Sequence, residues 1–297
     1  MKPKSCPRYH KLDQSPFYKL SSKKKLARLL YSSREKIKEL SSTEDLYYVF
    51  DLPNERTGKI RKISAPRADL KLVQKRIADL LQRVVPPDFL FSPVKGRSYV
   101  DNASIHRGAN SVCLLDIADF YPSCRQDRVK SFFQHKLKCS ADVAAILRNL
   151  TCFKTALPQG SPCSPILAFL AYSDMWEELD EIARDQGCVF TAYVDDLTVS
   201  GKNVSPSLIW RLKLAMHNYG HRTNKRKERL KYQRPAEITG VVLRADSLHP
   251  PNRQRLLLAK ALEAQRAAAH NADGGTSFDG QVRSRKSQIS QIVSRNS

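Results

Sequence analysis

The sequence has few acidic residues for its length and no long apolar run. Its 297 residues include 29 Asp and Glu against 51 Lys and Arg, which gives a formal net charge of +22. A charge this positive favours a polyanionic partner, because each neutralised phosphate releases condensed counterions. No apolar stretch approaches the roughly 20 residues that a membrane span requires. Nucleic acid is therefore a better candidate partner than a membrane, which we do not expect to be bound.

The cysteines lack the spacings of disulfide-rich or zinc-binding proteins. They are scattered, odd in number and never form a CxxC pair: Cys6, Cys113, Cys124, Cys139, Cys152, Cys163 and Cys188. This pattern supports neither a disulfide framework nor a zinc site. The N-terminal segment also lacks the apolar core of a signal peptide. We therefore expect a reduced, cytoplasmic protein.

Hydrophobic periodicity gives a coarse secondary structure for the first half of the chain. Helical spacing of apolar residues, with Ser21 or Ser22 as a plausible N-cap, predicts a helix over 21–40. The remaining predictions are two strands around a polar turn within 46–64, an amphipathic helix over 68–84, a buried strand over 111–117 and mostly helical structure over 125–150.

The second half of the chain alternates in the same way. The pattern predicts a long helix over 166–186, a β-hairpin over 189–199 with acids at its bend, a helix over 206–220 and a strand pair over 237–243. A basic, Ala-rich helix begins near residue 253 and meets a Gly-Gly break at 274–275. The Ser/Arg/Gln-rich tail that follows is expected to be partly disordered.

Two adjacent aspartates interrupt an apolar strand pattern at Tyr193-Val194-Asp195-Asp196. Such a pair is costly, because like charges repel each other and desolvation penalises both. A bound divalent cation offsets this cost, since Mg²⁺ prefers hard carboxylate oxygens. The alternative is that one aspartate merely caps a hairpin turn. Taken alone, the pair does not decide between these interpretations.

A second apolar strand ends in a carboxylate at Leu114-Leu115-Asp116, which favours the metal interpretation. Two such strands side by side would gather three or four acids at one end of a sheet. Phosphoryl transfer with two metals, spaced roughly 3.5–4 Å apart, needs a cluster of this kind. Asp119 is a further candidate ligand, although its position three residues after Asp116 favours a role at a helix start.

Three segments occur in the order and at the intervals of motifs A, B and C of reverse transcriptases. They are Asp116 with Tyr121 five residues later, the loop Leu157-Pro158-Gln159-Gly160, and Tyr193-Val194-Asp195-Asp196. Each segment alone is moderately specific, and the ordered set is very specific. The chain therefore resembles a reverse transcriptase, an RNA-directed DNA polymerase, over roughly residues 20–250.

The resemblance implies roles for the residues that match its motifs. Asp116, Asp195 and Asp196 would act in catalysis by holding two Mg²⁺ ions, with Asp196 the more peripheral of the acids. Tyr121 resembles the steric gate that selects deoxynucleoside triphosphates (dNTPs) by blocking a ribose 2′-hydroxyl. The alternative for Tyr121 is a core aromatic residue.

Further matching residues would bind the incoming dNTP. Ile117, Gln159 and the Gly160 backbone would contact it, and a side chain on Gly160 would crowd it. Arg61 resembles the fingers arginine that binds the triphosphate, with Lys62 as a possible helper. An arginine fork suits phosphate oxygens because it can bind two of them at once.

Lys227 aligns best with the motif D lysine, a general acid for the departing pyrophosphate. The family usually places a small hydroxyl residue next, whereas Glu228 stands here. For the neighbouring Lys225 and Arg226 we favour plain contact with a nucleic-acid backbone.

Two segments narrow the resemblance to one group. Asp101-Asn102-Ala103-Ser104-Ile105-His106 resembles the NAxxH motif of bacterial retron reverse transcriptases, and Ile238-Thr239-Gly240 resembles their VTG motif. Asn102 and His106 are four residues apart, so we expect that they can hydrogen-bond within one helical turn. Their role would be to shape the fingers or the palm.

The retron resemblance implies partners and a product. The chain would recognise a cognate structured noncoding RNA and begin synthesis from the 2′-hydroxyl of an internal guanosine. It would copy part of that RNA into multicopy single-stranded DNA (msDNA) and remain with the RNA–DNA product. Such systems commonly act in antiphage defence with a separate effector protein.

Other functions remain open. Another class of bacterial reverse transcriptase, of the diversity-generating or abortive-infection type, would share the acids but lack the NAxxH and VTG pair. A non-catalytic RNA-binding protein of polymerase-like shape would be expected to lose some of the acids, Gln159 or Tyr121. A template-independent nucleotidyltransferase would not depend on a template.

The fold that this resemblance implies is α+β and shaped like a right hand. The expected parts are an N-terminal helix and fingers over 1–100, a palm with an antiparallel sheet over 101–245, and a fingers insertion at about 125–160. A small helical thumb with a basic tail would occupy 246–297. Its expected phosphate contacts are Arg253, Arg255, Lys260 and Arg266.

Overall fold

The computed structural model describes residues 9–53, 58, 60–270 and 276–296. Helices and strands alternate irregularly along the chain, as in an α+β fold. In the first half they are α1 (Lys23–Leu29), α2 (Arg34–Ser42), β1 (Tyr47–Pro53), β2 (Ile60–Pro66), α3 (Ala68–Leu81), β3 (Leu90–Ser92), α4 (Tyr99–Ser104), β4 (Ser111–Asp116), α5 (Phe120–Ser123), α6 (Gln126–Ser131) and α7 (Ala141–Thr151).

The second half begins with two helices and a β-hairpin and ends in a pair of long helices. Its elements are α8 (Ser164–Leu170), α9 (Ser173–Arg184), β5 (Val189–Tyr193), β6 (Asp196–Gly201), α10 (Pro206–Asn218), β7 (Arg229–Tyr232), β8 (Ala236–Ile238), β9 (Val241–Arg244), β10 (Ser247–His249), α11 (Asn252–His270) and α12 (Thr276–Val293).

These elements form two compact units that are interleaved in the sequence. The first unit contains Met1–Lys95, Ile117–Leu179 and Leu214–Thr223, and the second contains Gly96–Asp116, Asp180–Lys213 and Asn224–Ser297. The chain passes between them several times, so each unit is assembled from distant segments. The three consecutive ranges expected for fingers, palm and thumb stay a prediction.

The second unit contains an antiparallel sheet in which β4 lies between β6 and β7 and β5 pairs with β6. Strand β4 is almost entirely buried, as its apolar sequence predicts. Strands β5 and β6 form the expected hairpin, with the two aspartates at its bend. The predicted strand over 111–117 and the predicted hairpin are therefore confirmed.

A smaller sheet in the same unit has the order β10–β9–β8. Strands β8 and β9 are the strand pair expected over 237–243, and Thr239 and Gly240 form their turn with positive φ angles. Strand β10 was not predicted, because three residues are too few to show a period. An apolar cluster that includes Val100 and Ala103 of α4 packs with this sheet.

The C-terminal segment is helical, so the expectation of a partly disordered tail was wrong for 276–293. Helix α12 contacts α11, and its Val282 and Ile292 are buried. Two widely spaced apolar residues are enough to attach a helix whose composition is otherwise polar. Beyond α12, the Asn296 amide bonds both backbone groups of Leu248 on β10, each at 2.8 Å. The predicted Gly-Gly break lies outside the described residues.

The first unit contains most of the short helices and a separate two-stranded sheet of β1 and β2. The strands expected over 46–64 are confirmed, as is the amphipathic helix over 68–84, which ends at Leu81. The helical content expected over 125–150 is also confirmed by α6 and α7 and by a π-helical turn at Phe132–Lys136.

Two predicted long helices are each broken into two. The segment 21–40 forms α1, capped by Ser22 as expected, and α2, capped by Ser33. The segment 166–186 forms α8 and α9, separated by a turn at Tyr172. The buried Tyr172 hydroxyl donates to the Ser123 carbonyl and accepts from the Arg125 amide, and these tertiary bonds replace helix continuity.

The described cysteines from Cys113 to Cys188 are free and buried. Desolvation raises the pKa of several of these thiols, to about 12 at Cys113 and at Cys152. Their environment is that of small core hydrophobes rather than of reactive thiolates. Among the described helices, none combines the length and the apolar character needed to cross a membrane.

Candidate active site

Two acid-bearing strands lie side by side in the second unit. The register of β4 and β6 places Asp116 directly opposite Asp196. Directly opposed residues of an antiparallel pair project to the same face, with Cβ atoms about 4.5–5.5 Å apart. Two of the three or four acids expected at one end of a sheet, Asp116 and Asp196, therefore lie side by side there.

The hairpin that supplies the other acid has a two-residue turn. Tyr193 pairs with Asp196, so that Val194 and Asp195 form the bend. Val194 adopts a left-handed backbone conformation with φ of 60°. This conformation costs a β-branched residue about 1–3 kcal/mol and persists only where the surrounding structure imposes it. The turn that presents Asp195 is therefore held in place by the strands and their contacts.

The neighbouring carboxylates raise the proton affinity of Asp196. Partial desolvation, followed by the charges of Asp195 and Asp116, raises the pKa of Asp196 to about 6. The desolvation is partial because Asp196 retains an exposed surface at the strand end, whereas Asp116 is buried. Negative charge is thus in excess at this site, a condition that a cation relieves.

Lys227 places an ammonium on this group of acids. Its Nζ binds Oδ2 of Asp116. Desolvation opposes the charge of Lys227, but the hydrogen bond to Asp116 and the charges of the three aspartates outweigh it, so its pKa is raised. Glu228 is instead held by Lys213 at 2.6 Å, so the acid that follows Lys227 in the sequence is paired elsewhere.

The acids suit a hard divalent cation, although their present arrangement does not enclose one. No group of three or more His, Cys, Asp or Glu side chains among the described residues is already gathered around a metal position. The Lys227 ammonium bound to Asp116 shows that these carboxylates stabilise a positive charge at this position. Mg²⁺ is commonly held by one or two carboxylates together with substrate phosphates and water, so a complete protein cage is not required.

In the first unit, the Gln159-Gly160 loop lies against β2. The Ser64 amide donates to the Gln159 carbonyl at 2.7 Å. Gly160 has φ of 124°, and a Cβ there would lie 3.0 Å from both Cγ2 of Ile63 and the carbonyl oxygen of Ser64. Glycine is therefore required at position 160 because Ile63 and Ser64 leave no room for a side chain. This requirement comes in addition to the expected crowding of a nucleotide.

The register of β1 and β2 separates Arg61 from Lys62. Arg61 pairs with Leu52 and Lys62 with Asp51, and successive side chains of a strand point to opposite faces. Ile63, which contacts Gly160, shares the face of Arg61. The strand thus directs Arg61, and not Lys62, to the side where the Gln159-Gly160 loop lies.

Comparison with known proteins identifies the family to which these features belong. A model of the family described as reverse transcriptase (RNA-dependent DNA polymerase) matches residues 52–243, more than half of the chain. The chain belongs to the reverse transcriptase family. Polymerases of this family generally use divalent metal ions and dNTPs.

Several retron reverse transcriptases are similar to this one. Retron Se72 reverse transcriptase of Salmonella heidelberg (strain 579083-10) is 31% identical over 155 residues, which are 52% of this chain and 41% of that protein. Retron Ec86 reverse transcriptase of Escherichia coli is 31% identical over 175 residues, 58% and 54% of the two chains. Retron Mx65 reverse transcriptase of Myxococcus xanthus is 30% identical over 257 residues, 76% and 58% of the two chains.

The chain spans about half the length of these relatives. Their similarity nevertheless confirms the retron resemblance that the NAxxH-like and VTG-like segments indicated.

Two residues expected at the nucleotide site of this reverse transcriptase lie in the first unit, directly after β4. The Ile117 side chain is buried and its backbone forms a bridge with Thr223, and its contact with a nucleotide stays a prediction. Tyr121 is half-buried on α5, with its ring 5.3 Å from that of Phe120. Its gate role stays a prediction.

Asp119 directly precedes α5, as its spacing suggested, and its carbonyl accepts from the Ser123 amide. The expected phosphate contacts on α11 are exposed. Arg253 also pairs with Glu237 at 2.7 Å, and RNA would have to compete with this ion pair.

The expected hydrogen bond between Asn102 and His106 was wrong. The Asn102 amide instead donates to the Thr239 hydroxyl at 3.3 Å, which joins the NAxxH-like and VTG-like segments. His106 bonds the hydroxyls of Thr191 and Ser200, which sequence reasoning had missed. Thr191 and Ser200 are polar residues on the buried face of a strand, and this pattern is the sequence signal for a buried polar partner.

Proposed function

We propose that this chain is an RNA-directed DNA polymerase that copies part of a cognate structured noncoding RNA into msDNA, starting from the 2′-hydroxyl of an internal guanosine. A role in antiphage defence with a separate effector protein, in the cytoplasm, belongs to the same proposal and rests on the retron resemblance. Two Mg²⁺ ions and dNTPs are the expected cofactor and substrates.

One observation supports the polymerase activity above the others. Asp116 and Asp196 stand opposite each other at the ends of two paired strands, and Asp195 occupies the adjoining turn. A protein that only bound RNA would have no need of three acids in a chain with a net charge of +22. Three clustered carboxylates weaken phosphate binding unless cations are bound between them.

We assign the metal ligands to Asp116, Asp195 and Asp196. Bound there, Mg²⁺ would lower the pKa of the attacking hydroxyl and stabilise the pyrophosphate that leaves. Asp116 is buried and held by β4, so it is the best-fixed ligand. Asp196 would bind metal as a carboxylate, and its raised pKa means that protons would compete for this position below about pH 6.

Lys227 has the protonation state that a general acid needs. Its raised pKa keeps it charged at neutral pH, and it lies beside Asp116, where phosphoryl transfer would occur. We propose that it leaves Asp116 when metal and nucleotide bind and donates its proton to the departing pyrophosphate. Glu228, held by Lys213, is not positioned to take that proton first.

The residues that we assign to nucleotide binding belong to the first unit. We propose that Arg61 binds the triphosphate, that Gln159 and the Gly160 backbone contact the incoming nucleotide, and that Tyr121 excludes ribonucleotides. The shared face of Arg61 and Ile63 and the contact of Ile63 with Gly160 support the first two assignments. Lys62, on the opposite face, is left as a contact for the template or for solvent.

The experiment is to express the chain together with its flanking genomic segment and to analyse the small nucleic acids it produces. The matched control is the double variant Asp195→Ala, Asp196→Ala. We expect a DNase-sensitive product that is joined to RNA by a link sensitive to debranching enzyme and that is absent from the variant. RNA binding should be nearly intact in the variant, because phosphate contacts elsewhere supply affinity.

Two other outcomes separate the parts of the proposal. If no such product forms while purified enzyme still extends an annealed DNA primer on RNA, the polymerase stands and the retron reaction is rejected. If the double variant synthesises DNA as well as the wild type, the metal assignment is wrong.

A further inference from the structure

His106 is attached to both strands of the hairpin that bears Asp195 and Asp196. It lies two residues after the end of α4 and is only 1% exposed. Its Nδ1 lies 2.7 Å from the Ser200 hydroxyl on β6, and its Nε2 lies 2.8 Å from the Thr191 hydroxyl on β5. A single ring therefore spans the two strands on one face of the sheet.

That face is the one on which the acids lie. Thr191 pairs with Thr198, and Asp196, Thr198 and Ser200 alternate along β6. Alternation places the side chains of all four residues on the same side of the sheet. The imidazole thus holds the strands from the side on which Asp196 and Asp116 face each other.

We propose that His106 is a positioning residue for polymerisation: it fixes β5 and β6 so that their turn presents Asp195 and Asp196 opposite Asp116. The inference rests on the proposed polymerase function and adds a role for a motif histidine that is not among the proposed metal and nucleotide ligands.

The chemistry of the imidazole suits this task. A neutral ring has one donor and one acceptor nitrogen, and a hydroxyl can serve as either partner, so both ring nitrogens are satisfied. Burial lowers the pKa of His106 to about 3, so the ring is neutral at neutral pH. A lysine or arginine here would place an unpaired charge in the core.

The hairpin needs such an attachment because its turn is strained. Val194 is held at φ of 60°, and that cost would be relieved if the strands could slip or splay. Thr191 is two residues before Tyr193, the last residue of β5 before the turn. A bond to Thr191 therefore acts close to the strained segment.

The attachment is firm only if α4 is itself fixed, and three contacts fix it. Asp101 and Ser98 form a capping box at its first turn, with bonds of 2.8 and 3.1 Å. Asp101 also forms an ion pair with Arg295, beyond the end of α12. Asn102 donates to Thr239, whose hydroxyl donates to the Tyr99 carbonyl at 3.1 Å.

The test uses side chains that keep one bond at a time. An Asn amide reaches about as far as Nδ1, and a Gln amide about as far as Nε2. His106→Asn should therefore keep the bond to Ser200, and His106→Gln the bond to Thr191. Thr191→Val removes one partner without changing the ring. Thr198→Val is the matched control, because Thr198 lies opposite Thr191 in the same hairpin and has no bond to His106 in the described structure.

The measurement is the rate of single-nucleotide addition at saturating dNTP on an annealed DNA primer and RNA template, at a temperature where melting curves show every variant folded. Each lost bond should lower this rate roughly threefold to tenfold, with dNTP KM and RNA Kd unchanged. Thr198→Val should stay within about twofold of the wild type. In the Thr191→Val background, His106→Asn should add no further loss, whereas His106→Gln should.

Two results would overturn the inference while leaving the polymerase intact. One is that all His106 and Thr191 variants melt earlier but add nucleotides at the wild-type rate while folded. The other is that losses at His106 and Thr191 simply multiply. A wild-type enzyme that adds no nucleotide in this assay would reject the proposed function instead.

Discussion

Two hairpins of this reverse transcriptase carry residues with proposed roles in polymerisation, and they are built in opposite ways. The β5–β6 hairpin has a two-residue turn, lies in a larger sheet and is buried, with Leu197 2% and Val199 0% exposed. The β1–β2 hairpin forms a sheet of its own, and its Phe50 is 48% and its Ile60 62% exposed.

The difference matches the tasks that we assign to the two hairpins. Metal ligands must be held to within about 0.5 Å of a productive geometry, which requires a rigid support. A two-stranded hairpin is only marginally stable alone, so we expect β1–β2 to adjust more easily than β5–β6 when a triphosphate binds. The comparison therefore predicts that damage near β5–β6 stops the chemistry, whereas damage on β1–β2 weakens substrate capture.

The largest loss of activity is expected from a change in β4, the strand that pairs with β6 of the buried hairpin. Asp116→Asn keeps the size of the side chain but removes the charge needed for metal binding and for Lys227. Nucleotide addition should fall by on the order of 10³-fold or more, measured by extension of a DNA primer on an RNA template. Asp119→Asn is the matched control, since Asn also tolerates the left-handed φ of 47° found there, and it should remain near wild type. An equal loss in both variants would make Asp119 a ligand as well.

The exposed hairpin should show a smaller effect that is limited to substrate binding and to one face. Arg61→Ala should raise the KM for dNTP on the order of 10-fold to 100-fold with little change in kcat, because a charge-assisted contact to phosphate is lost. Lys62→Ala, on the opposite face, should stay within about twofold. Steady-state kinetics with varied dNTP would decide this. Equal effects of the two variants would contradict the assignment of the triphosphate contact to the face of β2 that carries Arg61.

The contact between β2 and the Gln159-Gly160 loop can be tested through stability. Gly160→Ala should lower the free energy of unfolding by about 2–4 kcal/mol, since the new methyl group meets Ile63 and Ser64 and the φ angle is strained. Gly187→Ala provides the comparison, because its φ of 63° is also strained but nothing lies within 4 Å of the new Cβ. Its cost should be about 1 kcal/mol in urea unfolding. A similar cost for both would show that the loop does not press on β2.

The smallest effect is the pH dependence that His106 gives to the buried hairpin. Burial lowers its folded-state pKa to about 3, below the unfolded value near 6.5, so its contribution to stability is complete above pH 6.5. It is lost as pH falls, because the unfolded chain takes up the proton first. Between pH 7.5 and 5.5 wild type should lose about 1.4 kcal/mol more stability than His106→Gln. His221, whose pKa is lowered to about 4 by desolvation and by Arg128, adds a loss of the same sign that both proteins share.

Much of this architecture could be predicted from local sequence, and the exceptions share a cause. The hairpin over 189–199 and the strand ending at Asp116 follow from apolar runs interrupted by acids. The sequence predicts that the strands bearing Asp116 and Asp196 lie side by side. It does not predict which residues of the two strands stand opposite each other, because that register is set by pairing between distant segments. The breaks near Tyr31 and Tyr172 have no Gly or Pro to mark them, because tertiary hydrogen bonds and caps decide them.

The hydrogen-bond partners of His106 could not be predicted from local sequence for a related reason. Thr191 and Ser200 lie 85 and 94 residues away along the chain, and nothing local links them to the histidine. Motif resemblance pointed to Asn102 and His106, whereas helical spacing suggested that they bond each other. Only the three-dimensional arrangement shows that Asn102 bonds Thr239 in the turn between β8 and β9, whereas His106 bonds strands β5 and β6.

The bonds of Asn296 to Leu248 have a consequence for how molecules of this protein behave towards one another. Strand β10 is the outer strand of its sheet, and an open outer strand is a template for pairing with another chain. The Asn296 amide supplies one donor and one acceptor where a neighbouring strand would otherwise attach. The last described residues thus cover the hydrogen-bonding edge of this sheet. We expect their removal to promote self-association in concentrated solution.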